Sequence, residues 1–131
     1  MTDVRYRSLW WVLGVVLVVI VLVLSVLPNN ALPTQGFNDK INHMLAYVAM
    51  TGWFCGLVLR ARWWRVAVAL SLVGIAVEIA QSLMPFGREG DAVDLIANTL
   101  GIGIGWLLAR FGLADWPSWV ERLAPTGGSR P

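Results

Sequence analysis

Apolar positions in this chain do not alternate with polar ones; they run on. Residues 9–27 read LWWVLGVVLVVIVLVLSVL, with Val, Leu or Ile at nearly every position. A helix rises about 1.5 Å per residue, so roughly 20 apolar residues cross a hydrocarbon core of about 30 Å. Three further stretches have that length: residues 39–59, 63–84 and 91–111. The pattern predicts an all-α, polytopic membrane protein of four transmembrane helices. Polar breaks separate them. PNNALP carries Pro28 and Pro33, RARWWR is short and basic, and PFGREGDAVD places Pro85, Gly87 and Gly90 at a turn. Asn38 or Asp39 supplies a side-chain oxygen to cap the second helix.

Composition agrees with the pattern. Hydrophobic residues make up 57% of 131 and charged ones 14%, with a mean hydropathy of +0.66. A soluble domain of this length carries more charge and shorter apolar runs. Four spans use most of the chain, so residues 1–131 read as one transmembrane domain. Arg5 and Arg7 precede the first apolar run as in a signal peptide, but the run is longer than the usual 7–15 residues, roughly. SVLPNNALP also lacks a small-x-small cleavage site, so a retained helix is expected. The lone Cys55 forms no intramolecular disulfide.

The placement of the charges is more informative than their sum. Arg5, Arg7, Arg60, Arg62, Arg65, Arg110, Arg122 and Arg130 flank one set of helix ends, and only Lys40 and Arg88 flank the other. Lys and Arg gather on the cytoplasmic side, and Trp and Tyr anchor at interfaces. Trp10, Trp11, Trp63, Trp64, Trp106, Trp116 and Trp119 fall near the arginine-rich ends. Both termini are therefore expected in the cytoplasm. The tail 112–131 is expected to open with a short interfacial helix bearing Trp116, Trp119 and Leu123, and to close in a disordered Gly/Ser/Pro stretch.

In that topology the polar residues of three helices share one depth. Asp39, Lys40, His43 and Tyr47 occupy the outer turns of the second helix, Glu78 and Gln81 those of the third, and Asp91, Asp94 and Asn98 those of the fourth. Tyr47, Glu78 and Asn98 lie within roughly 12 Å of their helix ends. Asp39, His43 and Tyr47 span an arc of about 80°, as do Asp91, Asp94, Asn98, Gly101 and Gly105. Ser71, Gly74, Glu78 and Gln81 share a face of the third. An ionisable group facing lipid costs several kcal/mol, roughly, so Glu78 is expected in a polar pocket between helices. Read as packing alone, the pocket would have Glu78 accept hydrogen bonds from Lys40, His43 or Arg88 and Asn98 bridge helices. This many polar groups at one rim exceed what packing requires, which favours a functional site. Ala97, Gly101 and Gly105 form a small-residue ridge for close packing, with Gly52 and Gly56 a weaker one.

The fragments DKINHMLAY, EIAQ and GREGDAVDLIANTLGIGIG, in that order, resemble the VanZ-like family of bacterial membrane proteins. The family pattern falls on Asp39, Lys40, His43 and Tyr47; on Glu78 and Gln81; and on Arg88, Asp94, Asn98, Gly101 and Gly105. The resemblance spans about residues 38 to 106. It implies a multi-pass protein of the bacterial inner membrane and a link to susceptibility to the glycopeptide teicoplanin.

The pocket admits two chemical readings. As a binding module, Asp39, Lys40, His43, Tyr47, Glu78, Gln81, Arg88, Asp94 and Asn98 would grip a charged group of an envelope lipid or a peptidoglycan-related molecule. As a membrane-embedded hydrolase or transferase, His43 and Glu78 would serve as acid and base, with Lys40 and Arg88 on a phosphate. No serine or cysteine nucleophile stands beside His43, which weighs against the enzyme. A transporter is less convincing, since the cytoplasmic halves of the helices are apolar and unbroken. Asp39, His43, Glu78 and Asp94 are a conceivable metal set, but one histidine makes that weak, so no metal or cofactor is expected. Membrane lipids are the expected partners, nucleic acid is not, and oligomeric state is left open.

Overall fold

The computed structural model of the chain describes residues 4–27, 37–85 and 91–123. Among the described residues there is no strand. Five helices follow one another: α1 (Arg7–Val26), α2 (Phe37–Leu57), α3 (Trp63–Leu83), α4 (Ala92–Arg110) and α5 (Trp116–Leu123). Short 3₁₀ turns at Arg60–Arg62 and Leu113–Asp115 lead into α3 and α5. The PNNALP loop, the turn with Arg88, Gly87 and Gly90, and the tail beyond residue 123 lie outside the described residues.

Helix ends follow local chemistry. Leu27 and Met84 each precede a proline and adopt extended backbone, with ψ of 144° and 131°, which stops α1 and α3. Asp91 caps α4, its side chain accepting the Val93 N–H at 2.9 Å. Gly112, at φ 116°, closes α4 in the left-handed conformation that residues with a Cβ avoid.

Three of these helices are long and apolar enough to cross a membrane: Arg7–Val26, Ala92–Arg110 and the stretch Arg60–Leu83. Helix α2, expected as a fourth span, is not among them. Its first two turns carry Asp39, Lys40, Asn42 and His43, which lower its hydropathy. Its place in the bundle offsets that polarity. Helix α2 packs most extensively on α4 and also meets α1 and α3, and Tyr47, Met50, Thr51, Cys55 and Leu57 along it are buried. By contrast, Gly14 and Ser25 are the buried residues of α1, and Val12, Val15, Val19, Ile20 and Val23 are exposed. Leu72, Ile79 and Leu83 of α3 and Ile96, Leu100 and Leu107 of α4 continue that apolar exterior, as lipid contact requires.

Two glycines set the α2–α4 spacing. A Cβ on Gly101 would strike the Met44 carbonyl oxygen, and one on Gly105 would come within 2.8 Å of the Val48 carbonyl oxygen. The ridge thus lets two backbones nearly touch. Gly52 and Gly56 serve another contact. Leu113 lies against the first and Trp116 against the second, where α5 folds back onto α2.

Candidate functional site

The start of α2, the end of α3 and the start of α4 converge at one end of the bundle. Lys40 donates to Asp91 Oδ2 at 2.6 Å and to Asp94 Oδ1 at 2.8 Å, joining α2 to the first turn of α4. Asp39 and His43 face the same way, four residues apart, with His43 Nε2 3.8 Å from Asp39 Oδ2. One oxygen of each of Asp39 and Asp94 and a ring nitrogen of His43 lie within 4.8 Å of one another. His43, Glu78 and Asp94 are nine-tenths or more buried.

Glu78 reaches this cluster from α3. Its Oε2 accepts the Asp91 backbone N–H at 2.9 Å, a donor other than Lys40, His43 or Arg88. Among the described residues, its buried Oε1 has no hydrogen-bond partner. His43, Asp91 and Asp94 all act on it electrostatically. Asn98, one turn deeper on α4, is 3% exposed, and neither end of its amide has a partner among the described residues. Asn98 Nδ2 and the Tyr47 hydroxyl both lie 3.2 Å from where a Gly74 Cβ would stand, so that glycine leaves room for both. A cleft of about 170 Å³ between α3 and α4 opens beside Asn98, lined also by Ser71, Gly74, Leu95 and Thr99.

Gln81 is placed differently. It is 2% exposed, and its Nε2 donates to the Ser25 carbonyl of α1 at 2.6 Å, tying α3 to α1. Arg88 lies outside the described residues. The site therefore joins Asp39, Lys40, His43, Tyr47, Glu78, Asp94 and Asn98, with Gln81 on its α1 side. Asp91 was not among the expected ligands, yet it caps α4, holds Lys40 and gives its N–H to Glu78. The signal was there: an acidic residue one position before a helix, on the side where a lone lysine must find a partner.

The opposite end is organised by tryptophans. Trp53 and Trp116 rings lie 4.4 Å apart between centroids, and Trp10 packs edge-on against Trp116 at 5.2 Å. Trp53 Nε1 donates to the Trp10 carbonyl and Trp63 Nε1 to that of Cys55. Glu121 of α5 accepts the backbone N–H groups of Arg5 and Tyr6 and the Trp10 indole N–H, at 2.9, 3.0 and 3.1 Å. The Tyr6 backbone N–H, then that of Arg5 and the Trp10 indole N–H, hold its carboxyl below the usual range. A cavity of about 320 Å³ lies nearby, lined by Arg7, Leu57, Arg60, Trp63 and Asp115 among others. Trp53 and Glu121 were absent from the expected interfacial set, because neither position in the sequence reveals that α5 returns to α1.

A helical bundle with an apolar exterior, three helices fit to cross a membrane and buried ionisable groups at one end defines an integral membrane protein. The family model described as VanZ/LLP1 matches residues 25–113, and the chain belongs to that family. The match includes every residue of the polar cluster. No curated protein and no solved structure matches the chain significantly.

Proposed function

We propose that this protein spans the bacterial inner membrane four times, with both termini in the cytoplasm, and that its polar end is an extracytoplasmic binding site. The ligand is a polar group of an envelope lipid or of a peptidoglycan-related molecule. Through it the protein influences envelope properties, including susceptibility to teicoplanin-type glycopeptides. The arginine-rich and tryptophan-rich ends support the orientation. For α2, burial against three neighbours supports a span that its own hydropathy does not require.

One observation carries the binding reading. Glu78 Oε1 and both amide atoms of Asn98 are buried at this end with no partner among the described residues. Each such atom costs about 1–3 kcal/mol when left unsatisfied, a penalty that a ligand meeting them removes. A mixed charge set, Lys40 beside Asp39, Asp91 and Asp94, suits a zwitterionic or peptide-like group better than a simple anion.

The test is retention of defined lipids, polyprenyl-phosphate sugars and stem-peptide precursors by protein in nanodiscs. Glu78→Gln and Asn98→Leu are each to be checked for folded insertion. The parent is expected to retain one class selectively, and both variants to lose it by about tenfold or more, since each buried polar contact is worth about 1.4 kcal/mol or more. Equal retention by folded variants would contradict the reading, and so would a parent with no preference.

A further inference from the structure

We infer that Asp39, His43 and Asp94 form a divalent-cation site beside the buried carboxylate of Glu78. The inference stands on these side chains and does not depend on the identity of the organic ligand. Three donor atoms from α2 and α4 lie within 4.8 Å of one another. Donors held about 2.1 Å from an ion in a tetrahedron stand about 3.4 Å apart. The His43–Asp39 separation of 3.8 Å is already near that edge, and it is too long for a hydrogen bond.

Charge and burial point the same way. Among the described residues Asp39, Glu78, Asp91 and Asp94 face a single ammonium, and Lys40 is engaged by Asp91 and Asp94. The independent observation is Glu78, which stands on a third helix and is 7% exposed. Among the described residues its Oε1 has no hydrogen-bond partner, and His43 and Asp94 lie within its electrostatic reach. A carboxylate that stays charged in that setting needs a cation beside it. Lys40 holds Asp94 through Oδ1, and the Asp91 N–H holds Glu78 through Oε2, so each carboxylate is oriented by a neighbour, as metal ligands commonly are. The Asp39 side chain is 24% exposed and gives the ion its way in. One imidazole nitrogen with carboxylate oxygens suits Zn²⁺ or Mn²⁺ rather than a thiolate-seeking ion.

The experiment uses the full chain in detergent with an affinity tag free of histidine, stripped with chelator and dialysed. Titration with Zn²⁺ and with Mn²⁺, by calorimetry and elemental analysis, is expected to give one equivalent of at least one of them. His43→Gln and Asp94→Asn are each expected to weaken it about tenfold or more. His43 is the only histidine in the chain. Pulsed electron paramagnetic resonance of the Mn²⁺-loaded parent therefore reports an imidazole ligand through its nitrogen coupling even where a variant misfolds. A stripped parent that takes up no stoichiometric ion overturns the inference. So does bound metal without imidazole nitrogen coupling, or unchanged affinity in folded His43→Gln.

Discussion

Asn98 places two polar atoms where nothing in the described protein meets them, and on the proposed binding reading those atoms meet a ligand. Glue would be paired, and its removal would destabilise the bundle. Asn98→Leu removes an unmet amide from a buried position, so stability is expected to hold or to rise by about 1 kcal/mol while ligand retention falls. Thermal unfolding in detergent beside the retention assay checks both halves. The glycines offer a cleaner contrast within one helix. Gly101→Ala drives a methyl group into the Met44 carbonyl and is expected to cost about 1–3 kcal/mol. Gly103 faces open space, so Gly103→Ala is expected to gain up to about 1 kcal/mol. Equal melting temperatures for the two variants would remove the close approach of α2 and α4 from the account.

Elements were legible in the sequence to the extent that one stretch of chain decides them. The valine and leucine run makes α1, prolines after Leu27 and Met84 end helices, and Asp91 starts one. Helical spacing puts Asp39 beside His43 because both lie on the same helix. What spacing does not carry is the identity of the neighbour opposite. Gln81 shares a face with Glu78, yet it meets the carbonyl of Ser25 on α1, 56 residues away. The return of α5 to α1 is likewise non-local, since Glu121 bonds to amides 115 and 116 residues distant. This contact makes a pH prediction. The folded carboxyl titrates below the ordinary 4.5, so its contribution is fully present above the unfolded value. It is lost as pH falls through the folded one. Proteolytic release of the C-terminal segment is therefore expected to accelerate below about pH 4 in the parent. In Glu121→Gln it is expected to be fast already at pH 7, with little further change on acidification. A variant as protected as the parent at pH 7 would mean that the tryptophan packing alone holds α5.

At the scale of the whole molecule, α1, α3 and α4 carry apolar exteriors, and α2, which packs against all three, is not apolar enough to count with them as a span. The polarity of α2 is concentrated where α3 and α4 bring their own ionisable groups. Topology then decides which compartment that end samples. Reporter fusions after residue 7 and after residue 123 are expected to read as cytoplasmic, and an insertion in the turn after Pro85 as external. An odd number of crossings would put the two termini on opposite sides and exclude the four-span arrangement.

Accessibility of the polar end from outside the cell separates a hydrated external site from polar side chains packed away from water. In a Cys55→Ala background, His43→Cys and Leu45→Cys place thiols at nearly the same depth of α2, one in the cluster and one on the exposed apolar face. A water-excluded thiol in lipid stays protonated and slow, whereas one in a hydrated pocket ionises and reacts. A membrane-impermeant thiosulfonate added outside intact spheroplasts is predicted to modify His43→Cys rapidly and to leave Leu45→Cys untouched. If His43→Cys reacts only after the membrane is permeabilised, or no faster than Leu45→Cys, the polar end is not an external, hydrated site and the account fails.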